Sequence, residues 1–131
     1  MAPYIDSDDI TDLMMLESGW STELEAKIVK SEDAANDMLK TKGLTSTDVA
    51  TTTPYLLKEW CIAWVGMEMC FDAMGKNNVP LPEFEKYNVK YEAYKKRLAS
   101  IYAQITPEVI VGNDNDIRDR ATTMSGLLFR N

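Results

Sequence analysis

The sequence predicts a small all-α protein, a bundle of about four helices followed by an extended C-terminal tail. Apolar residues recur every three or four positions in four segments before residue 106, which is the spacing of one helix face. Capping residues precede these segments, and a glycine follows each of the first three. Beyond residue 105 this spacing stops. At 131 residues the chain has the length of one domain, and we place a helical bundle domain at 1–105 and an extended arm at 106–131.

The first two predicted helices are a short acidic one and a longer amphipathic one. The short helix is capped by Asp6 or Ser7 and ends at Gly19. The second covers residues 21–42, but Ser31 and the two acidic residues after it can cap a new helix, so the sequence leaves its continuity open. Their apolar stripes are Ile10, Leu13 and Met14 in the first and Leu24, Ile28, Ala35, Met38 and Leu39 in the second.

The third and fourth predicted helices form the core. The third starts at Thr53 and Pro54, ends at Gly75 and is apolar on nearly all sides, which is typical of a buried helix. The fourth covers residues 83–105 and carries a narrow apolar seam with alternating spacings of three and four, as in helical bundles. The seam consists of Phe84, Tyr87, Tyr91, Tyr94, Leu98, Ile101 and Ile105.

Apolar residues in the C-terminal arm and on one side of the third helix predict a subunit interface. Residues 109–111 form a β-like run, and an apolar-containing tail with no core of its own docks on another surface. The third helix has more apolar surface than one neighbour covers, and part of it shares a side with Lys58 and Asp72. The predicted interface consists of Ile62, Val65, Met69, Val109, Ile110, Val111, Leu127, Leu128 and Phe129.

Composition argues against most enzyme classes and against nucleic-acid binding by charge. The chain has 14 Lys and Arg against 21 Asp and Glu, a net charge of −7, whereas phosphate binding needs clustered positive charge. No histidine is present, which removes the usual general base and the commonest zinc ligand. Cys61 and Cys70 are nine residues apart in one helix, too far for a disulfide, and are expected to be buried thiols. No signal peptide or membrane span is recognisable, so we expect a protein made in the cytoplasm.

Three groups of acidic residues are candidate metal sites. Asp8, Asp9 and Asp12 lie close together in the sequence, Glu68 and Asp72 are one helical turn apart, and residues 113–119 partly match a calcium loop. The calcium pattern lacks its glycine and has Arg118 at a ligand position. We therefore predict no metal, no cofactor and no catalytic residues.

Several short motifs carry a resemblance to a known family. Tyr4-Ile5-Asp6 lies near the start of the chain, the second helix contains Ala34-Ala35, and the core helix begins Pro54-Tyr55-Leu56-Leu57-Lys58. The last helix is rich in tyrosine and lysine. With these features, residues 4–105 resemble the small helical head–tail connector proteins of tailed bacteriophages, also called adaptor or head-completion proteins.

This resemblance implies a non-enzymatic protein of the virion neck, present in the host cytoplasm during assembly. Such connectors form a homo-oligomeric ring of about a dozen copies below the portal protein, and a tail or stopper protein docks beneath. Double-stranded DNA passes through the lumen without specific binding, for which an acidic lumen is suited. The C-terminal arm, here Val109–Val111 and Leu127–Phe129, reaches a neighbouring subunit or the portal.

An alternative from another class is a small cytoplasmic helical bundle that binds a partner protein or peptide. This alternative predicts a monomer or dimer with a methionine-lined groove and no high-order ring, because eight methionines supply adaptable apolar contacts. The solution mass of the protein distinguishes the two hypotheses.

Overall fold

Four α-helices make up the fold in the computed structural model, which describes residues 3–12, 21–76 and 78–112. Helix α1 is Ser21–Thr41, α2 is Tyr55–Met74, α3 is Leu81–Gln104 and α4 is Pro107–Val111. Short 3₁₀ turns occur at Ser7–Asp9 and Ser46–Asp48, and no strand is found within the described ranges. The predicted small all-α fold is confirmed.

Helix α2 lies between α1 and α3 and contacts both. Glu68 of α2 binds Lys27 of α1, whereas Glu59, on nearly the opposite side of α2, binds Arg97 of α3. Because α2 packs on two flanks, its buried residues cover several sides, as the sequence predicted for the core helix. These residues are Leu57, Trp60, Cys61, Ala63, Val65, Gly66, Met69, Cys70 and Ala73.

The N-terminal segment crosses the bundle as a strap and is not a helix of the predicted length. Within residues 3–12 only the Ser7–Asp9 turn is helical, because the Asp6 and Asp9 side chains accept backbone N–H groups and close the turn on itself. The strap contacts all three long helices, through Tyr4 to α1, Asp9 to α2 and Asp12 to α3. The rest of the predicted first helix, with Leu13, Met14 and Gly19, lies outside the described residues.

Helix α1 is continuous, which answers the question that the sequence left open at Ser31. The Ser31 side chain is fully buried, and its hydroxyl donates to the carbonyl of Ile28 at 2.6 Å. The hydroxyl therefore bonds back to the preceding turn of the same helix and does not cap a new one.

The β-like interpretation of residues 109–111 is wrong, because these residues belong to α4. Thr106 caps this helix by accepting the N–H of Val109 at 3.3 Å, and Pro107 occupies the first turn. Ile110 is fully buried, and its carbonyl accepts the N–H of Ala50 at 2.9 Å. Residues 106–112 therefore pack with the bundle, and 113–131 lie outside the described residues.

Two helix starts also differ slightly from the predicted positions. The residue capping α2 is Pro54 and not Thr53, and Pro54 makes no side-chain capping hydrogen bond. Helix α3 starts at Leu81, two residues before the predicted start, with Pro82 in its first turn. The predicted seam of α3 faces the core at Tyr87, Tyr91, Tyr94, Leu98, Ile101 and Ile105.

Candidate interaction surfaces

Three residues of the predicted interface are inside the chain's own core. Val65, Met69 and Ile110 have relative exposures of 0%, 1% and 0%, so they have no surface to offer to another subunit. Lys58 lies on the same side of α2 as Val65 and Met69, and it pairs with Asp9 of the strap. Of the other predicted residues, Ile62 and Val109 are half-buried, Val111 is exposed, and Leu127, Leu128 and Phe129 lie outside the described residues.

A different side of α2 carries an uncharged apolar stripe. Its members are separated by four, three, four and three residues, which keeps them on one helix face. Exposure rises along the stripe, from the buried Trp60 at one end to Phe71, which is 58% exposed, near the other. The stripe consists of Trp60, Trp64, Met67, Phe71 and Met74.

The stripe ends in an apolar cluster at the turn between α2 and α3. We call this cluster, formed by Phe71, Met74, Leu81 and Phe84, the apolar tip. Leu81 and Phe84 are 67% and 41% exposed, and the Phe71 ring lies 5.9 Å from the ring of Tyr91. Phe71, Leu81 and Phe84 together expose on the order of 300 Å² of apolar surface, a size that often marks an interaction site.

A groove opens at the other end of α2. Its walls are the loop that precedes α2, the first turn of α2 and the end of α4, and its volume is about 820 Å³. We call it the α4 groove. Tyr55 and Val111 in its walls are 71% and 41% exposed, and Leu56 and Val109 add half-buried apolar surface. Since α2 has 20 residues, the apolar tip and the α4 groove are separated by about 30 Å.

The candidate metal pair Glu68 and Asp72 holds a lysine. Lys27 Nζ lies 3.3 Å from Glu68 Oε1 and 3.0 Å from Asp72 Oδ2, and the Lys27 side chain is only 14% exposed. Burial lowers the pKa of Lys27, but the two carboxylates outweigh this effect and the net pKa is raised. The ammonium group therefore occupies the position that a cation needs. No group of three potential ligands is found among the described residues, and 113–119 lie outside them.

Two of the candidate ligands in the strap, Asp9 and Asp12, are also partnered. Asp12 Oδ2 accepts from Lys90 Nζ at 2.9 Å and from the Tyr94 hydroxyl at 2.5 Å. Burial and the Asp12 carboxylate raise the pKa of Tyr94, so this hydroxyl remains protonated and remains a donor. The Tyr94 ring lies directly over Gly66 of α2. This arrangement holds the strap, α2 and α3 together and is structural.

We expect both cysteines to be unreactive in the folded protein. Burial raises the pKa of Cys61 to about 12 and that of Cys70 to about 11, so almost no thiolate is present at neutral pH. A thiol reagent at pH 8 should label neither residue until urea unfolds the chain. Because the unfolded thiols ionise near pH 9, stability is expected to fall as pH rises from about 9 towards 11. Labelling of one thiol per chain in native buffer, counted by mass spectrometry, contradicts this prediction.

Comparison with known proteins returned no match to a protein-family model, a curated protein or a solved structure. Among the described helices, none is long and apolar enough to cross a membrane. The apolar tip and the α4 groove are exposed apolar regions of the described structure, and we treat them as candidate interaction surfaces. The sequence places Phe71 and Met74 in the core helix, Phe84 in the helix seam and Leu81 in a turn, because spacing alone does not reveal which of these side chains are exposed.

Proposed function

We propose that this chain is a structural virion protein, a head–tail connector that assembles as a ring between the portal and the tail of a bacteriophage. The observation that carries the proposal is the pair of exposed apolar surfaces at opposite ends of α2. A chain that presents two separate apolar surfaces can contact two neighbours at once, which is what a ring requires of each subunit. The sequence resemblance of residues 4–105 to connector proteins supports the same function.

The distribution of charge also supports a protein that encloses DNA without holding it. Residues 1–37 contain ten acidic residues and two lysines, a net charge of −8, and Asp6, Asp8, Glu25, Asp33 and Asp37 are exposed. Such a surface repels phosphates, so DNA slides past it.

The chemistry of the polar side chains supports a structural role as well. The carboxylates of Glu68, Asp72 and Asp12 pair with lysines, and the thiols of Cys61 and Cys70 are buried and protonated. These groups stabilise the bundle and are not free to act on a substrate.

Light scattering on the purified full chain at high concentration tests this proposal. We expect a mass near a dozen copies of the 14.8 kDa chain and ring-shaped particles in electron micrographs. Particles should also form without DNA, because the proposed contacts are between protein surfaces. A chain that remains a monomer or dimer at the highest attainable concentration contradicts the proposal.

A monomer or dimer instead favours the alternative function, a cytoplasmic bundle that binds a partner protein or peptide. The uncharged stripe on α2 is the observation that favours this alternative, since apolar residues spaced by four and three match the contact pattern of a bound helix. In that case the stripe, and not the α4 groove, is the binding site.

A further inference from the structure

We infer that the side of the bundle formed by α2 and α3 binds an amphipathic helix of another protein, one with acidic residues along one edge of its apolar stripe. The inference rests on the alternative function, in which the stripe on α2 is the binding site. It adds the second helix that forms the site and the charge of the partner, and it does not require a ring.

The stripe on α2 is one half of a wider apolar face. The ring centroids of Phe71 and Tyr91 are 5.9 Å apart, so these two side chains lie next to each other across α2 and α3. Trp64 lies seven residues before Phe71, which is two helical turns, and Leu98 lies seven residues after Tyr91. Because a short turn joins the two helices, they run antiparallel, and both steps lead in the same direction along this face. We call it the α2–α3 face. It consists of Trp64, Met67, Phe71 and Met74 of α2 and Phe84, Tyr91, Leu98 and Tyr102 of α3.

The α2–α3 face has the shape and the area that a bound helix needs. Two adjacent helices leave a shallow valley between them, and a third helix packs along it with apolar residues spaced by three and four. Phe71 and Phe84 are 58% and 41% exposed, and Trp64, Met67 and Leu98 are half-buried. The whole face exposes on the order of 500 Å² of apolar surface, so a bound helix buries on the order of 1,000 Å² in total, the lower limit for a specific contact.

Two lysines beside this face favour an acidic partner. Lys95 Nζ lies 5.8 Å from the centre of the Tyr91 ring. Lys42 Nζ lies 3.9 Å from the centre of the Tyr102 ring. Within the described ranges neither lysine forms an ion pair with a carboxylate. Lys95 and Tyr102 are seven residues apart, so the two ammonium groups are separated by roughly 10 Å along α3.

The carboxylates next to the stripe are not available in the same way. Glu68 and Asp72, on the α1 side of α2, share Lys27, whose Nζ lies within 3.3 Å of both. The charges that the α2–α3 face offers to a partner are therefore the two lysines, on a chain with a net charge of −7. A helix with two acidic residues seven positions apart on one edge can pair with both lysines while its apolar stripe covers the valley.

Two fluorescent helical peptides of about 18 residues test the inference on the full chain. Both carry the same stripe of leucines, and they differ at two edge positions seven residues apart, which are glutamate in the acidic peptide and lysine in the basic one. Fluorescence anisotropy at low salt is expected to give a Kd about tenfold lower for the acidic peptide, because exposed ion pairs contribute modestly and like charges oppose binding. The preference is expected to disappear at high salt, which screens exposed charges.

Charge reversal on α3 locates the contact. Lys95→Glu is expected to make the two peptides bind equally, because each peptide then has one attractive and one repulsive edge position. Lys96→Glu changes the net charge by the same amount at an exposed residue about 100° further around the helix, and it should keep the preference. Phe71→Ser should weaken the binding of both peptides about tenfold. Val89→Ser, at a residue 69% exposed on another side of α3, should weaken neither.

The outcomes separate this inference from the functions on which it bears, provided that circular dichroism shows each variant to be folded. Equal binding of the two peptides by the unmodified chain, or an equal effect of Lys95→Glu and Lys96→Glu, overturns the inference and leaves partner binding through the stripe standing. If neither peptide binds, the inference and the alternative function are both wrong. A lower mass of the Phe71→Ser chain in light scattering then identifies a second copy as the occupant of the face.

Discussion

Replacement of Gly66 by alanine is expected to lower the free energy of unfolding by about 2–3 kcal/mol. A Cβ at this position falls 2.5 Å from Cζ of Tyr94, a distance that side chains do not tolerate. The ring cannot simply move away, because its hydroxyl is bonded to Asp12 of the strap. Gly66→Ala therefore pushes α3 from α2 or breaks the bond to the strap. Urea unfolding followed by tryptophan fluorescence measures the loss.

Gly75→Ala is the matched control for this prediction. Gly75 follows α2 with a φ of −82°, and a Cβ there meets nothing closer than the Asp72 carbonyl at 3.6 Å. We expect a change within about 0.5 kcal/mol. Shortening the neighbour, as in Gly66→Ala/Tyr94→Leu, should recover part of the stability lost in the single variant. Equal stability of the Gly66→Ala and Gly75→Ala proteins would show that the helices are not in close contact at Tyr94.

The long helices could be predicted because their determinants are local. The apolar spacing of α3 and the buried character of α2 are properties of consecutive residues. Both predictions agree with the structure except for one or two residues at the helix starts and for Phe84, which is exposed. Gly66 gave no such signal. In the sequence it is an unfavourable residue inside a helix, and only the pairing with Tyr94, 28 positions away, explains its presence.

The N-terminal strap and the interaction surfaces depend on contacts between distant residues. Asp12 bonds to Lys90 and Tyr94, 78 and 82 positions away, so no local pattern separates a strap from a short acidic helix. The sequence predicts Val65 and Met69 as exposed interface residues of α2. They are buried because the strap lies on their side of the helix, and no local pattern predicts the position of the strap. The exposure of Phe71 likewise depends on how the turn between α2 and α3 lies against the rest of the bundle, which the spacing along α2 does not encode.

Residues 109–111 illustrate how a capping motif outweighs strand propensity. Three consecutive β-branched residues favour a strand, but Thr106 and Pro107 fix the chain in a helical turn immediately before them. Burial of Ile105 and Ile110 then holds the turn against the bundle. The helix has only five residues, so its stability comes from this packing and not from helix propensity.

Ile110→Ala is therefore expected to lower the free energy of unfolding strongly, although Ile110 lies near the end of the described residues. Ile110 is fully buried, and its truncation removes apolar contacts and leaves a cavity, at a cost of about 2–4 kcal/mol. Val111→Ala, one residue further on and 41% exposed, should change stability by less than about 1 kcal/mol. Urea unfolding of the two variants measures the difference.

The same pair of variants separates the role of α4 in folding from its role in assembly. Ile110→Ala loosens α4 and its bond to Ala50, so it should weaken both stability and self-association, because α4 forms one wall of the α4 groove. Val111→Ala leaves the helix in place and should weaken self-association alone. If the two substitutions cost the same stability, α4 does not pack as described, and residues 106–112 then belong with an arm outside the bundle. If Ile110→Ala lowers the free energy of unfolding strongly and Val111→Ala does not, α4 belongs to the bundle. Only a side chain enclosed by the core makes enough contacts for its truncation to cost that much stability.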